Sequence, residues 1–138
     1  RLNDRMGEYV TSQLVKSMVK NRIQVEGSKV LVMGFTFKEN CPDLRNTKVI
    51  DIINELKEYG MDTEILDPWC STEIAMNEYG ISIIKKAKND QYDAIILAVG
   101  HDQFKELGAL KIRKLGKKNH ILYDLKYVLD KEDVDLRL

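Results

Sequence analysis

Apolar residues at the start of the chain recur with helical spacing. Leu2, Met6, Val10, Leu14 and Met18 fall at every fourth position, and Val15, Val19 and Ile23 widen the stripe. The pattern predicts a long helix with a broad apolar face, ended at Gly27. The period then changes. Residues 29–33 read Lys-Val-Leu-Val-Met, a strand buried on both faces and bounded by Gly34. Pro42 bars a simple helix through the polar and aromatic stretch 34–46. Val49, Ile50, Ile52, Ile53, Leu56 and Tyr59 predict a second helix, capped at Asn46 or Thr47 and stopped at Gly60.

The alternation continues down the chain. Residues 63–66 predict a strand closed by Asp67-Pro68, residues 73–79 a short helix stopped at Gly80, and residues 81–84 a third strand. Residues 92–99, with Ala-Ile-Ile-Leu-Ala-Val, give the strongest strand; a helix begins at 103–107, and 121–124 is a fifth strand. The tail 130–138 predicts a last turn of helix. Strands alternating with helices imply βαβ units. The expected fold class is therefore α/β: a Rossmann-like parallel sheet of about five strands, helices on both faces, preceded by a long N-terminal helix. No repeat or low-complexity segment interrupts it.

Composition narrows the function. Among 138 residues, 22 Lys+Arg balance 22 Asp+Glu, so no global basic field drives nucleic-acid or membrane-surface binding. Two cysteines and two histidines are too few for a disulfide framework or a thiolate zinc cage, and no metal site is expected. The apolar runs are far short of a membrane span. The chain starts at Arg1 inside a helical register, without a signal peptide, and reads as a segment of a longer protein in a reduced, cytoplasmic setting.

Ligands of open parallel sheets bind at the carboxyl ends of the strands. Residues 34–47 follow the first strand. With one glycine they lack the dinucleotide fingerprint, and no Gly-Lys-Ser/Thr of a Walker loop occurs. They offer instead Lys38, a point charge, and Arg45, a planar fork of donors, beside a helix N-terminus. Phe35 and Phe37 could wall a base or ribose. By chemistry this is an anion or nucleotide site. The alternative is a surface cluster in which Lys38 and Arg45 pair with Glu39 and Asp43; composition alone favours neither.

The order Phe37-Lys38, then Asp43-Leu44-Arg45-Asn46-Thr47, then Asp67-Pro68, resembles the UDP-binding C-terminal domain of the UDP-glucose/GDP-mannose dehydrogenase family. Leu2-Asn3-Asp4, the strand 29–34, Tyr59-Gly60 and Tyr92-Asp93-Ala94 extend the resemblance over the whole chain. The form Asn40-Cys41-Pro42-Asp43-Leu44-Arg45-Asn46-Thr47 is closest to the branch acting on UDP-N-acetylhexosamines. The resemblance implies an NAD-dependent, two-step oxidation of a sugar C6 alcohol to a carboxylate. It places the NAD-binding domain and the catalytic thiolate upstream, so this chain is expected to bind and not to catalyse. It implies that 1–26 is the end of a central dimerisation helix and 27–138 the UDP-binding domain, in a homodimer. It assigns Phe37 and Lys38 to the UDP or sugar, Asp43 to orienting the loop and Arg45 to facing across the cleft toward the NAD, as a cofactor-binding residue, or toward the sugar. Lys126, in Tyr123-Asp124-Leu125-Lys126, stands where many relatives carry arginine for substrate.

Other residues have plainer readings. Cys41 lies in the loop, but the family's nucleophile is elsewhere; Cys70 reads as a buried apolar thiol. Asp67 is expected in a turn or cap with Pro68, His101 in a helix-start hydrogen bond, and His120 in a structural role. Lys111, Arg113, Lys114, Lys117 and Lys118 read as a solvated helix face. The apolar stripe of the first helix is expected to pack on a partner or on an upstream part. A signalling receiver would need acids at the ends of the first and third strands, and none stands there. A flavodoxin-like nucleotide-binding or dimerisation module without catalytic role stays open on the residues alone.

Overall fold

The computed structural model describes residues 2–138, with side chains from Arg5 onward. The side chains of Leu2, Asn3 and Asp4, which contribute to the stripe and to the family resemblance, lie outside the described residues.

The elements run α1 (Leu2–Lys20), β1 (Lys29–Met33), α2 (Val49–Glu58), β2 (Asp62–Leu66), α3 (Thr72–Tyr79), β3 (Ile83–Ile84), β4 (Tyr92–Leu97), α4 (Asp102–Leu115), β5 (Gly116–Asp124) and β6 (Leu136–Arg137). The six strands form one sheet in the order β3-β2-β1-β4-β5-β6, and every pairing is parallel. This is the Rossmann-like order, with its topological switch between β1 and β4. Alternate strand residues serve opposite faces. Val30, Val32, Ala94 and Ile96 pack with Val10, Leu14 and Met18 of α1 and Ile52, Ile53 and Leu56 of α2. Leu31, Met33, Ile95 and Leu97 pack with Phe104, Ile112 and Leu115 of α4. Both faces are covered, which is why these strands are apolar throughout rather than alternating.

Several expectations need correction. The first helix ends at Lys20, well before Gly27. Arg22 takes a left-handed φ of 60°, its N–H reaches the Val19 carbonyl, and the Ile23 N–H reaches that of Met18. This is a Schellman cap, and Ile23 is its buried apolar contact rather than a further helical turn. Arg22→Gly is expected to stabilise the fold by roughly 0.5–1 kcal/mol, the left-handed penalty less the chain entropy of glycine. A lower thermal midpoint would contradict that.

The stripe of α1 is also largely covered within the chain, by α2 and β5. Val10, Leu14 and Met18 are fully buried, while Tyr9 and Val19 remain exposed. Gly7 permits the close approach: a Cβ there would lie 2.7 Å from the Asp51 carbonyl oxygen of α2.

Toward the C-terminus, α4 continues to Leu115 but breaks at Gly108 (φ 76°, ψ 168°). Lys117 and Lys118 therefore belong to β5, not to a helix face. The tail makes a 3-10 turn (Lys131–Asp133) and then a sixth strand, not a helical turn alone. Arg113 explains the difference. Its guanidinium donates to Asp135 Oδ2 at 2.7 Å and to the Asp133 carbonyl, while Asp135 accepts the Leu122 N–H, seating the tail on β5. His120 has the structural role expected of it, between Arg113 and the Lys117 carbonyl.

Candidate nucleotide site

The chain leaves β1 through Gly34 (φ 104°), whose N–H donates to the Leu66 carbonyl of β2. Phe35 then turns inward. It is fully buried, edge-on to Tyr79 with centroids 5.3 Å apart, so it belongs to the core and cannot wall a ligand. Its carbonyl accepts the Thr47 hydroxyl at 2.6 Å, and the Thr47 hydroxyl oxygen in turn accepts the Val49 N–H at the start of α2. Thr47 thus ties the two ends of the loop together.

Phe37 faces outward and is 45% exposed. It borders a cleft of about 220 Å³ at the carboxyl ends of β1, β4 and β5, lined also by Thr36, Lys48, Val99, Leu125 and Lys126. Two of the expected residues, Phe37 and Lys126, therefore meet in one cavity. Lys126 is placed by Asp124, whose fully buried carboxylate accepts the N–H groups of Lys126, Val128 and Leu129 and so folds the turn after β5. Lys48 was not foreseen. As the residue before the first turn of α2 it brings a second cation to the cleft beside that helix's positive end. Its signal was its place just after the loop, masked by reading the helix start at Asn46 or Thr47.

Lys38, Asp43 and Arg45 sit outside this cavity. The Lys38 ammonium lies 5.9 Å from the Phe37 ring centroid, within cation–π range. Arg45 grips Asp43 through Nε to Oδ1 (3.0 Å) and a terminal nitrogen to Oδ2 (3.2 Å). Hydrogen bonds from the Arg45 side chain and main chain hold the Asp43 carboxyl below its usual range. The surface pairing considered from composition is thus present for Arg45 and Asp43. Asp43 also shapes its own turn, accepting the Arg45 N–H.

Behind the loop lies a network. Asp67, fully buried at the end of β2, accepts the N–H groups of Phe35 and Thr36 on Oδ2 and of Trp69 and Cys70 on Oδ1. Its turn role with Pro68 is present, and it also fastens β2 to the loop after β1. His101 makes no helix-start bond with its side chain, contrary to expectation. It is fully buried 3.0 Å from Asp67 Oδ2. Burial alone would raise the Asp67 pKa, but hydrogen bonds from His101, Phe35 and Trp69 outweigh it and hold the carboxyl below its ordinary value. With the strand order known, the residues ending β2 and β4 flank β1, which is how an acid and a histidine far apart in sequence meet.

The cysteines differ. Cys70 is buried, and desolvation, with the charge of Asp67, pushes its thiol up to about 11. Cys41 is half-exposed in the loop. Iodoacetamide at native pH is expected to label Cys41 and spare Cys70, read by peptide mass spectrometry. Equal labelling would contradict this placement.

A larger groove, about 480 Å³, lies between α4 and the β3–β4 crossover and is lined by Leu66, Lys85, Lys111 and Lys114 among others. Lys85 is engaged there, donating to the Asp67 carbonyl at 2.7 Å and to that of Cys70. The smaller cleft sits at the strand ends beside the switch point and holds the motif residues, so it is the candidate site. Among the described residues no cluster could hold a metal ion, and no helix is long and apolar enough to cross a membrane.

Residues 31–131 match the UDP-binding domain of the UDP-glucose/GDP-mannose dehydrogenase family. The whole chain is 62% identical to a UDP-N-acetyl-D-glucosamine 6-dehydrogenase of Pseudomonas aeruginosa and 56% identical to one of Salmonella typhi, covering 33% and 32% of those proteins. It spans about a third of the length of these curated relatives. Among solved structures, a UDP-D-ManNAc dehydrogenase from Pyrococcus horikoshii superposes with a TM-score of 0.80 at 19% identity, over 99% of this chain and 31% of that one, a likeness of fold. The matched segment takes in the loop, both strands at the switch point and the Lys126 turn, and the chain therefore belongs to the UDP-glucose/GDP-mannose dehydrogenase family.

Proposed function

We propose that this chain is the nucleotide-sugar-binding part of an NAD-dependent UDP-sugar 6-dehydrogenase, with a UDP-N-acetylhexosamine as substrate. The observation that carries the reading is the cleft at the β1/β4 switch point, where an aromatic ring and two lysines meet beside a helix N-terminus. The names of the two relatives above support the choice of sugar. Phe37 offers a face to the uracil or ribose, and Lys48 and Lys126 offer charge to the diphosphate. Lys38, at the loop's outer side, reaches the same phosphates or the sugar. Asp43 holds Arg45 through two hydrogen bonds, and in this reading Arg45 serves the far side of the cleft. The cleft is smaller than the ~300–1,000 Å³ of a complete ligand pocket, as one wall of a shared site would be.

This chain's own turn after β1 does not fit a dinucleotide. It has one glycine, at Gly34, and the Thr47 hydroxyl already covers the first N–H of α2. NAD, which would accept two hydrides in taking CH2OH to a carboxylate, is in this reading held by an upstream domain, with Arg45 the residue facing it. The role left to this chain is binding and orienting the substrate, which confers positioning. Within 1–26, the helix α1 then continues a central helix, with Tyr9 and Val19 exposed toward an upstream part or a second copy in a homodimer. A cytoplasmic setting with both cysteines reduced goes with this function.

Calorimetric titration with UDP tests the reading. Weak binding is expected, because half the cleft is contributed from elsewhere. Lys38→Ala and Lys126→Ala should each weaken it about tenfold, the loss of one charge-assisted hydrogen bond. No heat from the unmodified chain would overturn it.

A further inference from the structure

We propose that His101 is a positioning residue that fixes the loop segment carrying Phe37 and Lys38; the proposal rests on the nucleotide reading of that loop. The hydrogens around its ring can be assigned without choice. The Asn40 backbone N–H lies 2.9 Å from Nδ1. A backbone N–H can only donate, so Nδ1 presents its lone pair. The ring hydrogen therefore resides on Nε2, which faces Asp67 Oδ2 at 3.0 Å and Thr36 Oγ1 at 3.2 Å. The Thr36 hydroxyl gives its own hydrogen to the Lys38 carbonyl at 2.9 Å, so toward His101 it can only accept. One tautomer satisfies all four groups.

The geometry follows from this pattern. The imidazole holds Thr36 on one side of Phe37-Lys38 and Asn40 on the other, and Thr36 holds the Lys38 main chain. A return bond closes the clasp: Asn40 Oδ1 accepts the Asp102 N–H at 2.9 Å. That N–H opens α4, whose own preceding residue supplies no side-chain cap. Asn40 caps the helix from 62 positions away in sequence and takes a left-handed φ of 56° to do so. The ring is packed between Trp69 and Phe104, with centroids 6.4 and 5.4 Å away. Its charged neighbours are Asp67, and Lys85 through the Asp67 carbonyl.

Two measurements on this chain test the proposal. Imidazole nitrogen NMR should show His101 with a bare Nδ1 and a hydrogen on Nε2; an Nδ1–H tautomer would overturn it. UDP calorimetry on two variants asks which atom positions the loop. His101→Asn places an oxygen where Nδ1 stood and keeps the acceptor for Asn40. His101→Gln keeps only a donor for Asp67. UDP affinity should hold within about threefold in the first and fall about tenfold in the second. Trp69, the sole tryptophan and beside the ring, reports by fluorescence that each variant is folded. UDP affinity kept within about threefold in both variants overturns the positioning role while leaving the nucleotide reading intact. No UDP binding by the unmodified chain overturns the nucleotide reading and, with it, the purpose assigned to His101. If a variant does not fold, Asn40→Gly serves in its place. It keeps the main-chain N–H and the left-handed turn and deletes the return bond. A several-fold loss of UDP affinity is expected, and no loss overturns the clasp.

Discussion

Replacing Asp67 with alanine is expected to cost about 3–5 kcal/mol of stability, read from the urea midpoint. The carboxylate is fully buried and accepts four backbone N–H groups and His101. Its removal leaves all five donors without this acceptor, four of them in buried surroundings. The same group sets an acid limit. Its pKa is lowered on folding, because hydrogen bonds outweigh the burial that would raise it. The stability it contributes is therefore complete above its unfolded value of about 3.9 and is lost as pH falls through the lower folded value. Asp67→Asn should be less stable at neutral pH and show a shallower decline below pH of about 4. A variant with unchanged midpoint and unchanged acid slope would show that the network is not what joins β2 to the loop.

Gly34→Ala is expected to cost about 3 kcal/mol or more, with loss of UDP binding. Two effects act together at this position. The φ of 104° is one that residues with a Cβ rarely adopt. An added Cβ would also lie 2.5 Å from the Val99 Cβ and 2.8 Å from the Val99 nitrogen. Because a backbone atom and a Cβ are what it meets, Val99→Ala should not rescue it. Thermal unfolding of the single and double variants decides the matter. Rescue by Val99→Ala would mean that the contact is soft and the strain lies elsewhere. Gly34 is where the chain leaves β1 against Val99, just past the end of the neighbouring β4, so a shift there moves both walls of the cleft.

The strands were legible because both sheet faces are buried, which leaves continuous apolar runs such as 30–33 and 94–97. The helix ends at Gly60 and Gly80 were legible because both glycines take a left-handed φ. The end of α1 was not, because Arg22 takes the role of a glycine and Ile23 keeps the apolar register while serving a cap. β6 was hidden as well. It is two residues long and is held by Arg113 and Asp135, a pair separated by 22 positions.

The site divides in the same way. Phe37 could be placed at the cleft because it stands in one short stretch whose order is characteristic, whereas Lys38 and Arg45 of the same stretch lie outside the cavity. Phe35 was misread as a ligand wall because alternation after a strand does not show which ring turns inward. His101 and Asp67 were given local roles. Their joint role depends on β2 and β4 lying on either side of β1, a fact of topology that no spacing carries.

UDP is expected to bind at the β1/β4 switch point. A titration of this chain with UDP, followed residue by residue through backbone amide NMR shifts, tests it most directly. Perturbations should gather at 36–37, 48–49, 98–99 and 125–126, which line the cleft, and extend into the loop 38–47. No perturbation at high UDP, or perturbations gathered instead at Lys85, Lys111 and Lys114 in the larger groove, would contradict it.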